Sequence, residues 1–373
     1  MNHYFKKSQR WLLLSLFLVI GAALSGCGGG GDILLGGAGL DDGTATEPPV
    51  STEPAAPTET PIPAAFGHII FVSNRDGQMG LYISTPDGRE QTRLTPFAAE
   101  NTDPHLSPDG TRVAFVSNVD GNTDIYVLDL ATRNITRVTD APGKDTSPSW
   151  SPDGTRLAFE SFRDGNFEIY MANADGSNTV RLTNDPAGDS SPIWSPVANE
   201  IAFVSNRFGN SDILLLGLNG SISTLTTNFA PDSAPAWSPD GSMIAFKTYS
   251  GELVNLCLIN RDALGQRCVT EFASEYGAPV WSPDGAWLAA SAKQSTGYGI
   301  SLFNTVDGST LQLYSVGVEP RGDPIWSPDG TRLAFQAESG GDMELYIALV
   351  PTNEFARLTS IPAYDGQPVW THQ

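Results

Sequence analysis

The chain has 373 residues, 40% of them apolar, with 38 glycines and 27 prolines, which is enough to bury a sizeable core and suits a fold made of turns. Acidic residues outnumber basic ones 42 to 21, a balance that argues against nucleic acid and against electrostatic docking on anionic lipid, and for cationic partners.

Lys6, Lys7 and Arg10 precede an apolar run from Trp11 to Ala23. The run is too short for an ordinary membrane span and right for the apolar part of a secretory signal peptide. It ends in Leu24-Ser25-Gly26-Cys27, which resembles the lipobox of bacterial lipoproteins. The resemblance implies removal of residues 1–26, lipid on Cys27 and anchorage in the bacterial cell envelope, on the periplasmic or the surface side. Without the leader, 18 basic residues would face 42 acidic ones, a charge of −24. Residues 27–65 are rich in glycine, then in proline, threonine and glutamate, the composition of a flexible tether.

From Phe66 to Gln373 the sequence repeats. The clearest copy is Pro148-Ser149-Trp150-Ser151-Pro152-Asp153-Gly154-Thr155-Arg156-Leu157-Ala158-Phe159. Its Ser-Pro-Asp-Gly core is built as a turn: proline fixes φ, aspartate accepts from its own backbone, and glycine tolerates positive φ. The flanks read as two short antiparallel strands. The turn-opening residue recurs at Ser107, Ser151, Ser195, Ser238, Ser282, Ser327 and Thr371, in steps of 43 to 45 residues. A period of this length with four strands per repeat specifies a β-propeller.

The third repeat predicts strand A at Pro148–Trp150, B at Leu157–Ser161, C at Glu168–Asn173 and D at Thr179–Thr183. Strand C recurs at Leu81, Ile125, Ile169, Ile213, Leu256, Ile300 and Leu345, which gives seven blades. The first repeat opens on strand B at His68, while Pro368-Val369-Trp370 forms a last strand A. Pairing of that C-terminal strand into the first blade would close the ring and remove its open edge. The expected fold is therefore all-β, a seven-bladed propeller of four-stranded blades, with Trp150, Trp194, Trp237, Trp281, Trp326 and Trp370 filling the interfaces between blades.

Pro-x-Trp-Ser-Pro-Asp-Gly-x-x-Leu-Ala-Phe, followed by Asp-Ile-Tyr and Arg-Leu-Thr, resembles the TolB-type propeller repeat over residues 66–373. The resemblance implies a periplasmic protein-binding propeller. Similar repeats occur in prolyl-oligopeptidase-type peptidases and in some polysaccharide lyases, so the fold alone does not choose a function. No Gly-x-Ser-x-Gly elbow and no His-Glu-x-x-His motif occurs. His68 and His372 flank the closing strand pair and give a lyase-type, metal-assisted alternative its only sequence support. Asp120-Gly121-Asn122 and Asp164-Gly165-Asn166 lack the further carboxylates of a calcium loop and read as turns. Arg75, Arg163 and Arg207 recur beside such loops, in position for salt bridges to neighbouring connections.

The expected function is a non-enzymatic, lipid-anchored scaffold without cofactor or metal, a monomer that binds a protein, a basic peptide segment included, or a cell-wall polymer. Two site expectations accompany it. Cys257 and Cys268 fall opposite each other on strands C and D of the fifth blade, so a disulfide is expected in an exported protein. Every D-to-A connection carries acid: Glu100, Asp103, Asp145, Asp189, Asp232, Glu275, Asp323 and Asp365. These residues are expected to ring the mouth of the central channel and attract a basic segment.

Overall fold

The computed structural model describes residues 67–372 except 97–98, 271–274, 295–296 and 314–317. The leader, Cys27 and the tether lie outside the described residues. What is described is seven four-stranded antiparallel sheets. Blade 1 takes its strand A from the C-terminal end: Asp365–Trp370 pairs antiparallel with Ile69–Ser73, matching Ile69 to Trp370 and Ser73 to Asp365. Blades 2 to 7 each run through A, B, C and D in chain order.

The Ser-Pro-Asp-Gly turn forms for the reason its residues suggest. Ser151 Oγ donates to Asp153 Oδ1 at 2.6 Å, and that same oxygen accepts Thr155 N–H at 3.0 Å. Arg156 N–H then closes the loop on Ser151 Oγ at 2.9 Å. Hydrogen bonds from Ser151 and Thr155 hold the Asp153 carboxyl down to about 2. Gly154 supplies the φ of 67° that a side chain would resist.

Each tryptophan closes a blade interface. Trp150 packs with Phe159 of its own blade against Ala114, Ile125 and Val127 of blade 2. Its Nε1 donates to His105 O of blade 2 at 2.9 Å. Trp237, Trp281, Trp326 and Trp370 repeat this bond to the preceding blade at 3.0 to 3.3 Å. Trp194 is the exception, a buried indole whose Nε1 has no partner.

Strand A begins earlier than the sequence suggests. In blade 3 it spans Asp145–Trp150, and Asp145 pairs with Ser161 and Thr146 with Glu160 before the register shifts. The shift is a bulge at Ser147, whose φ is 55°. Asp103, Ser191, Ala234 and Gln367 adopt the same positive φ, each directly before the strand A proline. Proline excludes the helical region for the residue ahead of it, but nothing in Asp, Ser, Ala or Gln announces a left-handed one.

Candidate channel site

The early start of strand A relocates half of the predicted acidic ring. Asp145, Asp189, Asp232 and Asp365 open their strands and are fully buried, at 0% exposure each. They present no charge to a channel mouth, and the expected ring of these four is corrected accordingly. Three of them meet the recurring arginines. Arg163 binds Asp145 with its Nη2 3.1 and 3.0 Å from the two carboxylate oxygens, Arg207 binds Asp189 at 2.7 Å, and Arg75 binds Asp365 at 2.9 Å. Asp232 has no arginine; Asn228 Nδ2 donates to it at 3.0 Å.

The other four acids lie elsewhere. Glu100 and Glu275 are exposed. Glu275 meets Tyr298 Oη at 2.9 Å and Lys293 at 3.5 Å, and these contacts hold its carboxyl below the ordinary value. Asp103 and Asp323 stand at or beside the strand A bulge. Asp323 accepts Ala278 N–H at 2.7 Å, and burial raises its carboxyl against the pull of Lys247.

The bulge is where strand A offers unpaired N–H groups, and side chains from adjacent blades take them. Asp103 N–H donates to Gln367 Oε1 at 2.9 Å, Gln367 N–H to Gln336 Oε1 at 2.9 Å, and Ser191 N–H to Glu160 Oε2 at 2.8 Å. Ser147 N–H donates to the Asp103 carboxylate. Glu160 is fixed further by Thr146 Oγ1 at 2.8 Å.

Asp103 also faces His105, with Oδ1 and Nε2 3.1 Å apart. Both side chains keep about two-fifths of their area exposed, 41% and 38%, yet protein surrounds them, as in a narrow channel. Burial alone would raise Asp103 and lower His105; their mutual charge and hydrogen bond outweigh it, so Asp103 is lowered and His105 raised. A cavity of about 200 Å³ adjoins the pair, lined by Asp103, His105, Ser147, Pro148, Ser191 and Ile193, among others. This wall offers the Asp103 carboxylate, an imidazole and two serine hydroxyls, and the Glu160 carboxylate is bonded to Ser191 N–H beside it. It can hold a cationic or hydrogen-bonding group by charge and geometry. Sequence reading passed over His105, Glu160 and Lys247, because each sits at a variable place in its repeat, and the contacts of the first two, to Asp103 and to Ser191, are made at bulge residues.

The remaining candidates are placed as follows. His68 and His372 are both exposed; His68 N–H donates to Thr371 Oγ1 at 2.7 Å. His372 shares a second cavity with His105, Trp150 and Trp194. Among the described residues no group of three or more His, Cys, Asp or Glu side chains could hold a metal. Asp120 accepts Tyr126 Oη at 2.6 Å, and Asn122 donates to Ala141 O and Gly143 O, which makes this loop a structural turn. Cys257 and Cys268 are paired in register and joined by a disulfide.

The sequence profile of the TolB beta propeller domain matches residues 64–233 and 217–373. Among solved structures, TolB from Acinetobacter baumannii is similar with a TM-score of 0.56 and 22% identity, over 82% of this chain and 66% of that one. Oligogalacturonate lyase from Vibrio parahaemolyticus gives 0.60 and 16%, over 79% and 86%. A puromycin-hydrolyzing peptidase of Mycobacterium tuberculosis gives 0.58 and 18%, over 70% of this chain and 46% of that one. This chain thus spans just under two thirds of the TolB chain and less than half of the peptidase. No curated protein matches it. At these identities the likenesses show the fold, and they include TolB and enzymes alike.

Proposed function

Because the chain belongs to the TolB β-propeller domain family, we propose that it acts as a non-enzymatic binding scaffold of the bacterial cell envelope, tethered through lipid on Cys27. Its ligand is a protein or a cell-wall polymer, and a basic peptide segment suits the channel best. The observation that carries this reading is the channel wall itself: Asp103 lines the cavity and is fixed by Ser147 N–H and His105, and Glu160 is fixed by Thr146 and by the N–H of the cavity-lining Ser191. Preorganised carboxylates in a concave, partly desolvated site attract cations more strongly than the same groups on open surface.

Two measurements test the reading. Cys27→Ser should move the protein from the membrane fraction to the soluble one; a variant that still carries lipid and sediments with membranes removes the anchor. Asp103→Asn with Glu160→Gln should weaken capture of the partner recovered by crosslinking from envelope extracts, and should reduce the salt dependence of that capture. Unchanged capture by a folded double variant removes the channel as the docking site.

A further inference from the structure

Buried carboxylates recur at the interfaces between blades, and their neutralisation follows a rule. The first residue of strand C in one blade and the first residue of strand A in the next lie together. In each case the strand A residue donates its N–H to the carbonyl just ahead of strand C: Asp145 to Thr123 O, Asp189 to Phe167 O, Asp232 to Ser211 O, at 2.7 to 2.9 Å. At three interfaces these positions hold two acids, and each acid has its own arginine. Between blades 2 and 3, Asp124 meets Arg137 and Asp145 meets Arg163. Between blades 3 and 4, Glu168 meets Arg181 and Asp189 meets Arg207. Between blades 7 and 1, Glu344 meets Arg357 and Asp365 meets Arg75. Two charges of each sign leave each quartet neutral.

Three interfaces hold no acid at these positions, which are Gly80 with Asn101, Asn255 with Tyr276, and Gly299 with Pro320. The interface between blades 4 and 5 breaks the rule. Asp212 and Asp232 are both present, at 1% and 0% exposure. The strand D position occupied by Arg181 in blade 3 is Thr224 here, by the matched pairs Tyr170–Arg181 and Leu214–Thr224. The arginine that follows strand B by two places, Arg207 after Ser205, is replaced by Ser250 after Thr248. The tyrosine and loop aspartate that surround Arg181, Tyr170 and Asp164, are replaced by Leu214 and Phe208. Only the two acids remain.

One oxygen of each is left without a partner. Asp212 Oδ1 and Asp232 Oδ1 are buried and accept no hydrogen bond. Among the described residues Asp232 is the one charged group acting on Asp212, and burial with that repulsion pushes Asp212 up to about 6. Around Asp232 stand Asn228 and the hydroxyls of Thr226 and Thr248. Two buried, mutually repelling carboxylates without a cation are strongly unfavourable.

We propose that Asp212 and Asp232 form a cation site at the interface of blades 4 and 5, in which one hard divalent ion of the calcium class replaces the two guanidinium groups of the sister interfaces. The charge balance selects a divalent ion, since two carboxylates are neutralised by one such ion as they are by two arginines. The donors select a hard one: every candidate ligand is an oxygen from carboxylate or threonine, with no His or Cys among them. Two carboxylates and two threonine hydroxyls leave room for water in the coordination shell, which such ions retain. The ion would pin strand C of blade 4 to strand A of blade 5, as Arg181 and Arg207 pin blades 3 and 4.

Thermal unfolding of the full chain, titrated with calcium chloride at about pH 7.5, tests this, since an ion bound only by the folded state raises the transition with concentration. Calcium should raise the unfolding temperature and a chelator should reverse the rise. Asp212→Asn should weaken calcium affinity by at least about tenfold, as expected when a charged ligand is lost. Thr224→Arg should fold and show a weaker calcium response, because the arginine supplies one of the two missing charges. In the wild type the response should fade as pH falls below about 6, where protons compete for the pair. No response of the wild type to calcium or magnesium would overturn the proposal. So would an Asp212→Asn variant that is more stable than wild type at neutral pH in saturating calcium, the mark of a carboxyl that stays protonated.

Discussion

The interfaces on either side of blade 4 share one backbone plan and differ in charge. Between blades 3 and 4, Glu168 and Asp189 sit under Arg181 and Arg207; between blades 4 and 5, Asp212 and Asp232 sit under Thr224 and Ser250. The difference teaches that the apolar packing is sufficient to build the ring. Trp194 and Trp237 are equally buried on the two sides, within a few per cent, so the arginines are not needed to form the interface. They are needed because acids are there, and an acid in a low-dielectric site requires a partner.

The largest effect should come from making one side resemble the other. Arg181→Thr with Arg207→Ser strips the blade 3–4 interface of its cations and strands Glu168 and Asp189, which should cost about 3–5 kcal/mol in denaturant unfolding. A loss below about 1 kcal/mol would mean that these pairs barely exceed exposed ones. A second contrast lies in blade 5. There Cys257 and Cys268 occupy the cross-strand positions of Tyr170 and Arg181, so a covalent link stands in place of an aromatic and a guanidinium. Reduction should lower stability by about 2–3 kcal/mol, the loop-entropy value for a short closed loop. Two alkylatable thiols in the native, unreduced protein would contradict the link.

A smaller effect separates the tryptophans. Trp237 Nε1 donates to Ile193 O at 3.1 Å, whereas Trp194 Nε1 has no partner. Trp237→Phe should therefore cost about 1 kcal/mol more than Trp194→Phe, the net worth of one buried hydrogen bond. Equal costs would show that the bond contributes nothing.

The smallest effect is the pH response of Asp103 and His105, which are partly exposed. Asp103 is depressed in the folded state, so its contribution is present above about pH 3.9 and is lost as pH falls through the lower folded value. His105 is raised, so its contribution is complete below about pH 6.5 and is lost as pH rises through the higher folded value. The stability difference between wild type and His105→Gln should peak between these limits. A difference independent of pH would dissolve the pair.

The fold was legible because it is written seven times. The Ser-Pro-Asp-Gly turn, the buried strand C residues from Leu81 to Leu345, and the orphan strand ending at Trp370 together give blade count and closure. The site was legible in part. Arg75, Arg163 and Arg207 pointed to salt bridges, yet their partners were assigned to loops because Asp145 precedes its proline by three residues. A regular strand would not reach so far; the bulge at Ser147 extends it, and no residue type there signals positive φ. The contacts of Asp103 with His105 and of Glu160 with Ser191 were hidden for the same reason, since each is made at a bulge residue of strand A.

Binding of an oligolysine peptide to the full chain, followed by calorimetry at low and at physiological salt, tests the central claim that a partner meets the charge of the channel wall. Asp103→Asn with Glu160→Gln should weaken binding about tenfold or more and flatten its salt dependence, while Glu275→Gln at the exposed rim should change it little. Equal weakening by the rim variant, or full affinity in the channel variant, would contradict the account.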